Sequence, residues 1–219
     1  MGPGHILVNT LTNSPERLVT EVATVLSRAA SVNGSRQMAD GSDVLSTLKV
    51  SRASAIVLDP DLTDSPWTIV EKLLQLSEDN TVTSEELPHL KMVYLIRRRE
   101  KGEEDFWRQL NESQEWFQAD DTTPDNMCGV FNTSDSTGFS KLVVHTHKNV
   151  VRMVHGTSLL YLRNADGKVE FSMAPMGWMG GHPVIVIMSG VTRVTLDLRS
   201  ADLSCDLADF IWKTIVEEK

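Results

Sequence analysis

Apolar positions alternate between short continuous runs and helical stripes along the whole chain. Residues 5–9 read as a strand. A helix follows, started either by Ser14 with Pro15 at its first position or by Asn13 with Glu16 three residues on. Leu18, Val19, Val22, Val25 and Leu26 form its apolar face. Ser42-Asp43 opens a second helix with Val44, Leu45 and Leu48 facing inward, and residues 53–59 form a short buried strand closed by Pro60. Ser65-Pro66 opens a third helix carrying Ile69, Val70, Leu73, Leu74 and Leu76, followed by a polar acidic loop over 77–86. Residues 90–96 are the next strand, and Phe106, Trp107 and Leu110 mark a short helix. A polar stretch with Pro124, over 119–126, is the one candidate subdomain break.

In the second half, residues 127–132 and 142–144 read as strands on either side of a polar loop. Thr146 caps a helix whose face is Val150, Val151, Val154 and Leu159. Strands over 169–173 and 191–196 flank a helix over 178–188. An amphipathic helix over 201–216 carries Leu203, Leu207, Phe210, Ile211 and Ile215. Strands separated by helices predict an α/β fold with a largely parallel sheet and flanking helices.

Composition narrows the function class. Hydrophobic residues make up 41% of the 219 positions and charged residues 23%, the usual balance of a domain with its own core. A net charge of −9 argues against a general nucleic-acid binder. Arg97, Arg98, Arg99 and Lys101 are offset by Glu100, Glu103, Glu104 and Asp105, so that cluster reads as a solvated loop. Cys128 and Cys205 make no disulfide framework and read as buried free thiols of a reducing, intracellular compartment, cytoplasmic or organellar. The start has neither the basic nor the long apolar region of a secretory signal. The apolar stretch over 173–191 is broken by His182, Pro183 and glycines, so no membrane span is expected.

The chemistry concentrates between the paired strands. Residues 133–141 hold five hydroxyl residues, Gly138 and Lys141. Hydroxyls, free backbone N–H groups and an ammonium suit a polyphosphate, and the carboxyl ends of parallel strands are where α/β sheets hold ligands. Composition alone fits a Ser/Thr-rich surface turn equally well. No Walker-type loop and no Gly-x-Ser-x-Gly elbow occurs. His145 and His147 lack further ligands at metal-binding spacing, so no metal site is assigned.

The order of residues adds to this. Thr133-Ser134-x-Ser136-Thr137-Gly138-x-x-Lys141, then Val143 and Thr146-His147-x-Asn149, resembles the phosphate-binding signature of the adenylate-forming (AMP-binding) superfamily. That superfamily includes acyl-CoA synthetases, firefly luciferase-like enzymes and peptide-synthetase adenylation domains. Its usual form is Thr-Ser-Gly-Thr-Thr-Gly-x-Pro-Lys-Gly-Val, then Thr/Ser-His-x-Asn. Asn13-Ser14-Pro15-Glu16, the stretch from Leu48 to Pro60, Ala174-Pro175-Met176 and Ser189-Gly190-Val191-Thr192 resemble other family segments in the same order.

The resemblance implies an acyl-CoA synthetase-like reaction, in which a carboxylate such as a fatty acid and ATP give an acyl-adenylate, then an acyl-CoA. ATP, Mg2+ and CoA would take part. Thr133, Ser134, Ser136, Thr137, Gly138 and Lys141 would hold the phosphates, and His147 and Trp178 would border the acyl substrate. Asp135 stands where the family has glycine and Ser140 where it has proline. Gly177-Trp178 replaces a Phe-His pair. The family's Tyr-Gly-x-Thr-Glu segment, its ribose-binding aspartate and the lysine of its mobile C-terminal lid have no counterpart here. The expectation is therefore a central portion of the large N-terminal domain. By itself it would not complete the reaction, and it would associate as a homo-oligomer or with a protein partner. A non-catalytic relative that binds a nucleotide, an acyl ligand or a protein is the alternative.

Overall fold

The computed structural model describes residues 1–34, 40–62, 64–96, 105–112, 121–133, 141–161, 168–196 and 206–217. The basic cluster at 97–101, loop positions 134–140 and the start of the last expected helix at 201–205 lie outside them.

Six strands form the main sheet: β1 (Ile6–Asn9), β2 (Ala30–Asn33), β3 (Ala55–Leu58), β6 (Met92–Leu95), β7 (Met127–Asn132) and β8 (Leu142–Thr146). Their order is β6-β3-β1-β2-β7-β8, parallel throughout except for the antiparallel β7–β8 pair. This is the expected largely parallel α/β sheet. All four residues of β3 are buried, because both faces of a parallel sheet are covered and alternation disappears. On one face Val8, Val32, Ile56 and Leu58 pack with Val44 and Leu48 of α2 (Ser42–Ser51) and with Trp67 and Val70 of α3 (Trp67–Val70). On the other, Leu7, Leu11, Ala55, Val57 and Ile96 meet Tyr94 and Phe106, the latter from α4 (Asp105–Glu112). A third cluster joins Cys128 to Val150 and Val154 of α5 (His147–Tyr161).

α1 (Pro15–Leu26) starts as one of the two expected caps requires: the Ser14 hydroxyl accepts from the Arg17 amide at 3.1 Å. Its burial is the reverse of the usual pattern. Glu16, Arg17, Glu21 and Thr24 are buried, while Val22 and Leu26 of the apolar stripe are 40% and 45% exposed.

Two expected helices are shorter than their periodicity implied. α3 ends at Val70, a 3-10 turn covers Glu71–Leu73, and β4 (Gln75–Leu76) pairs with β5 (Val82–Thr83) in place of a continuing helix. Turn chemistry wins there. The Asp79 carboxylate accepts from the Thr81 amide and hydroxyl at 3.1 and 2.6 Å, and Asn80 takes a left-handed φ of 63°. The helix expected over 178–188 is a 3-10 turn at Met179–Gly181, then α6 (Val184–Ser189). Pro183 holds His182 extended, at ψ 132°, and so separates the two. Gly190, at φ 71°, ends α6. β9 (Val169–Ser172) and β10 (Thr192–Thr195) pair in parallel as a separate two-stranded sheet, and α7 (Leu207–Glu217) follows.

Candidate functional site

The β7–β8 hairpin carries the hydroxyl-rich loop. Asn132 pairs with Leu142, Phe131 with Val143 and Val130 with Val144. The Thr133 amide donates to the Lys141 carbonyl at 3.0 Å, which closes the mouth of the loop. β7 runs parallel to β2, so this mouth lies at the carboxyl edge of the sheet, beside Asn9 and Asn33. Thr133 and Lys141 are both exposed there. Ser134, Ser136, Thr137 and Gly138, with Asp135 and Ser140, belong to the positions outside the described residues.

His147 is the first residue of α5. The Thr146 hydroxyl accepts from the Asn149 amide at 3.3 Å, the expected cap. The next two orphan amides of this helix, from His147 and Lys148, donate to the Asn126 and Pro124 carbonyls at 3.1 and 2.8 Å. The polar stretch around Pro124 therefore forms a turn against the start of α5. Burial holds the His147 imidazole below its ordinary pKa. It lines an apolar cavity of about 280 Å3 between α1, α5 and α6, walled by Val22, Leu26, Val150, Val151, Val184 and Ile187. Cys128 and His182 also border it. The exposed stripe of α1 is thus one wall of this cavity.

Trp178 is 53% exposed and is not among the cavity's lining residues. His147 and His182 thus border one cavity, and Trp178 does not line it. Asn13 fixes the segment leading to Trp178: its amide donates to the Ala174 carbonyl and the Thr195 hydroxyl, and its carbonyl accepts from the Met176 amide at 2.7 Å.

Between the loop and this segment lies a buried polar network that periodicity did not reveal. The Glu21 carboxylate accepts from Asn9 at 3.1 Å and from the Ser31 hydroxyl, and it pairs with Arg17 at 3.4 Å. The His182 Nε2 stands 3.9 Å away. Burial pushes this carboxyl up, but the His182 interaction, the Arg17 charge and the Ser31 hydroxyl together bring it below its ordinary value. Arg17 also donates to the Leu11 carbonyl and, at 3.1 Å, to the Asn33 side chain. Asn132, at the root of the loop, donates its side-chain amide to the Asn33 carbonyl at 3.0 Å. The one available signal was the spacing of Arg17, Glu21 and Thr24, a polar stripe of helical period opposite the apolar one.

The described strands form a largely parallel α/β sheet, with the two ends of the 133–141 loop at its carboxyl edge, where such sheets hold ligands. The chain matches the AMP-binding enzyme family over residues 1–219, and it belongs to that family. Its fold is that of the N-terminal domains of acyl-CoA synthetases. It is similar to the inhibitor-bound N-terminal domain of FACL13 from Mycobacterium tuberculosis, with a TM-score of 0.75 and 18% identity over 100% of this chain and 48% of that one. It is also similar to o-succinylbenzoate CoA synthetase from Bacillus subtilis in complex with its acyl-adenylate intermediate, at a TM-score of 0.67 and 16% identity, again over 100% and 48%. Among curated relatives, atromentin synthetase invA5 of Paxillus involutus is 39% identical over 64 residues, 29% of this chain and 6% of that protein. The inactive atromentin synthetase invA3 of the same fungus is 38% identical over 64 residues. The chain thus spans about half the length of these two structural neighbours and a small part of its curated relatives. Among the described residues, no helix is long and apolar enough to cross a membrane.

Proposed function

We propose that this chain supplies the phosphate-gripping part of an acyl-CoA synthetase-like ligase, which uses ATP to turn a carboxylate such as a fatty acid into an acyl-adenylate and then an acyl-CoA. The observation that carries the proposal is the hairpin mouth, where Thr133 and Lys141 meet at the carboxyl edge of a parallel sheet. The donor chemistry fits. The Thr133, Ser134, Ser136 and Thr137 hydroxyls and the backbone at Gly138 would donate to the β- and γ-phosphates. Lys141 would balance the charge that builds on the departing pyrophosphate. Among the described residues no cluster of three His, Cys, Asp or Glu side chains could hold a metal ion. Mg2+ would be carried largely by the nucleotide's own phosphate oxygens, as it commonly is. The His147-lined cavity is walled in part by the helix that follows the loop, and its apolar lining suits the hydrocarbon part of an acyl substrate.

The test is ATP–pyrophosphate exchange with a panel of fatty acids, using this chain alone and joined to the remaining parts of a family ligase, the Tyr-Gly-x-Thr-Glu portion and the lid domain together. Exchange that needs those added parts and falls on Lys141→Ala supports the proposal. Robust exchange by the isolated chain contradicts its partial role, and exchange indifferent to Lys141 contradicts the site. A second reading rests on Asp135. A carboxylate roughly 4 Å from a phosphate oxygen costs on the order of 4 kcal/mol at an effective dielectric near 20, enough to leave a binding or interaction module without catalysis. Saturable ATP binding without exchange in any context favours that reading.

A further inference from the structure

The loop root and the segment bearing Trp178 come from distant parts of the chain, and both rest on Asn33. On one side, Asn132 donates to the Asn33 carbonyl at 3.0 Å. On the other, the Asn33 side-chain oxygen, held by Arg17 at 3.1 Å, fills the space beside Gly177. A Cβ added at Gly177 would lie 2.0 Å from that oxygen and 2.6 Å from Arg17 Nη2. The segment therefore seats its backbone directly on the Asn33–Arg17 bridge, and a side chain at 177 would have to push that bridge aside. Asn13 holds the preceding residues, Ala174 and Met176, from the turn just before the helix that presents Arg17. Arg17 is itself fixed by the buried Glu21 carboxylate and the Leu11 carbonyl, so the bridge has little freedom to yield.

We propose that Asn33 is a positioning residue that sets the root of the 133–141 loop and the Gly177-Trp178 segment in one fixed relation, so that a shift at either is transmitted to the other. The geometry of this brace stands independently of what the loop binds. Its use, holding a phosphate grip at a constant distance from Trp178, rests on the function proposed above.

The test needs no ligand. The Thr133 amide is protected by its bond to the Lys141 carbonyl, so its hydrogen exchange reports opening of the loop mouth. Gly177→Ala forces the Asn33 side chain aside, and overpacking of this kind accelerates that amide by roughly 5- to 150-fold. The Val8 amide at the centre of the sheet serves as the reference for a general loss of stability. Asn33→Ala removes the obstructing oxygen, and in that background Gly177→Ala leaves Thr133 exchange unchanged. Asn33→Asp keeps the oxygen facing Arg17 and restores the sensitivity. Acceleration by Gly177→Ala that is equal with and without the Asn33 side chain, or absent in the native background, overturns the proposal. A pyrophosphate titration of the same proteins by calorimetry separates the two claims. Absence of binding in all of them counts against the phosphate site, whereas the exchange data alone decide the role of Asn33.

Discussion

Replacing Glu21 with glutamine tests the polar interior of α1 at its most sensitive point. The side chains of Glu21 and Arg17 are only 5% and 4% exposed, and they pair at 3.4 Å. Glutamine has nearly the same shape but carries no charge, which leaves the guanidinium buried without its anion. Its oxygen can still accept from Asn9 and Arg17, which share one carboxylate oxygen, and its amide can donate to the Ser31 hydroxyl at the other, so the lost charge is what the substitution tests. Breaking one partner of a buried ion pair costs about 3–5 kcal/mol. For a chain of this length that lowers the melting temperature by about 6–20 °C. The contrast is Lys49–Glu86, a closer pair at 3.0 Å whose side chains are 49% and 56% exposed. Exposed pairs contribute about 0–1 kcal/mol, so Glu86→Gln leaves the melting temperature nearly unmoved. Urea denaturation followed by circular dichroism measures both. A Glu21→Gln loss below about 1 kcal/mol, comparable with that of Glu86→Gln, would refute the reasoning.

Two further outcomes follow from the same carboxylate. Its folded pKa lies below the ordinary 4.5, so its stabilisation is complete above that pH and is lost as pH falls through the depressed value. The stability gap between the native chain and Glu21→Gln, measured by denaturation across an acid series, should narrow on that side only. Burial first, and the Glu21 charge second, push the Cys128 thiol from 9.0 up to about 11. At pH 8 it should react with iodoacetamide about 100-fold more slowly than an exposed thiol, as read by peptide mapping, and faster in Glu21→Gln; a rate equal to that of a free thiol would contradict this.

The strands were legible because the parallel sheet is buried on both faces, so β1, β3, β6 and β7 appear as unbroken apolar runs between turn residues. The helix expected after Ser65-Pro66 was misread because Leu73, Leu74 and Leu76 keep helical spacing, while the Asp79-Asn80 turn pairs Gln75-Leu76 with Val82-Thr83 in a hairpin just beyond the 3-10 turn. α1 defeated the pattern differently. A hydrophobic stripe marks one face of a helix but not which face is covered, and here Arg17 and Glu21 are buried while Val22 and Leu26 border a cavity. The loop's hydroxyls, glycine and lysine were readable from composition and order. The bridge through Asn33 was not, because its members at 17, 33, 132 and 177 meet only in three dimensions.

The claim that residues 133–141 grip a polyphosphate is tested most directly by titrating Mg-ATP against three proteins in one assay: the native chain, Asp135→Gly and Lys141→Ala. Removing the Asp135 carboxylate should tighten binding by up to about 1,000-fold, and removing the Lys141 ammonium should weaken it. The predicted order of affinity is Asp135→Gly, then native, then Lys141→Ala. Indistinguishable affinities across the three would contradict the assignment of this loop as a phosphate site.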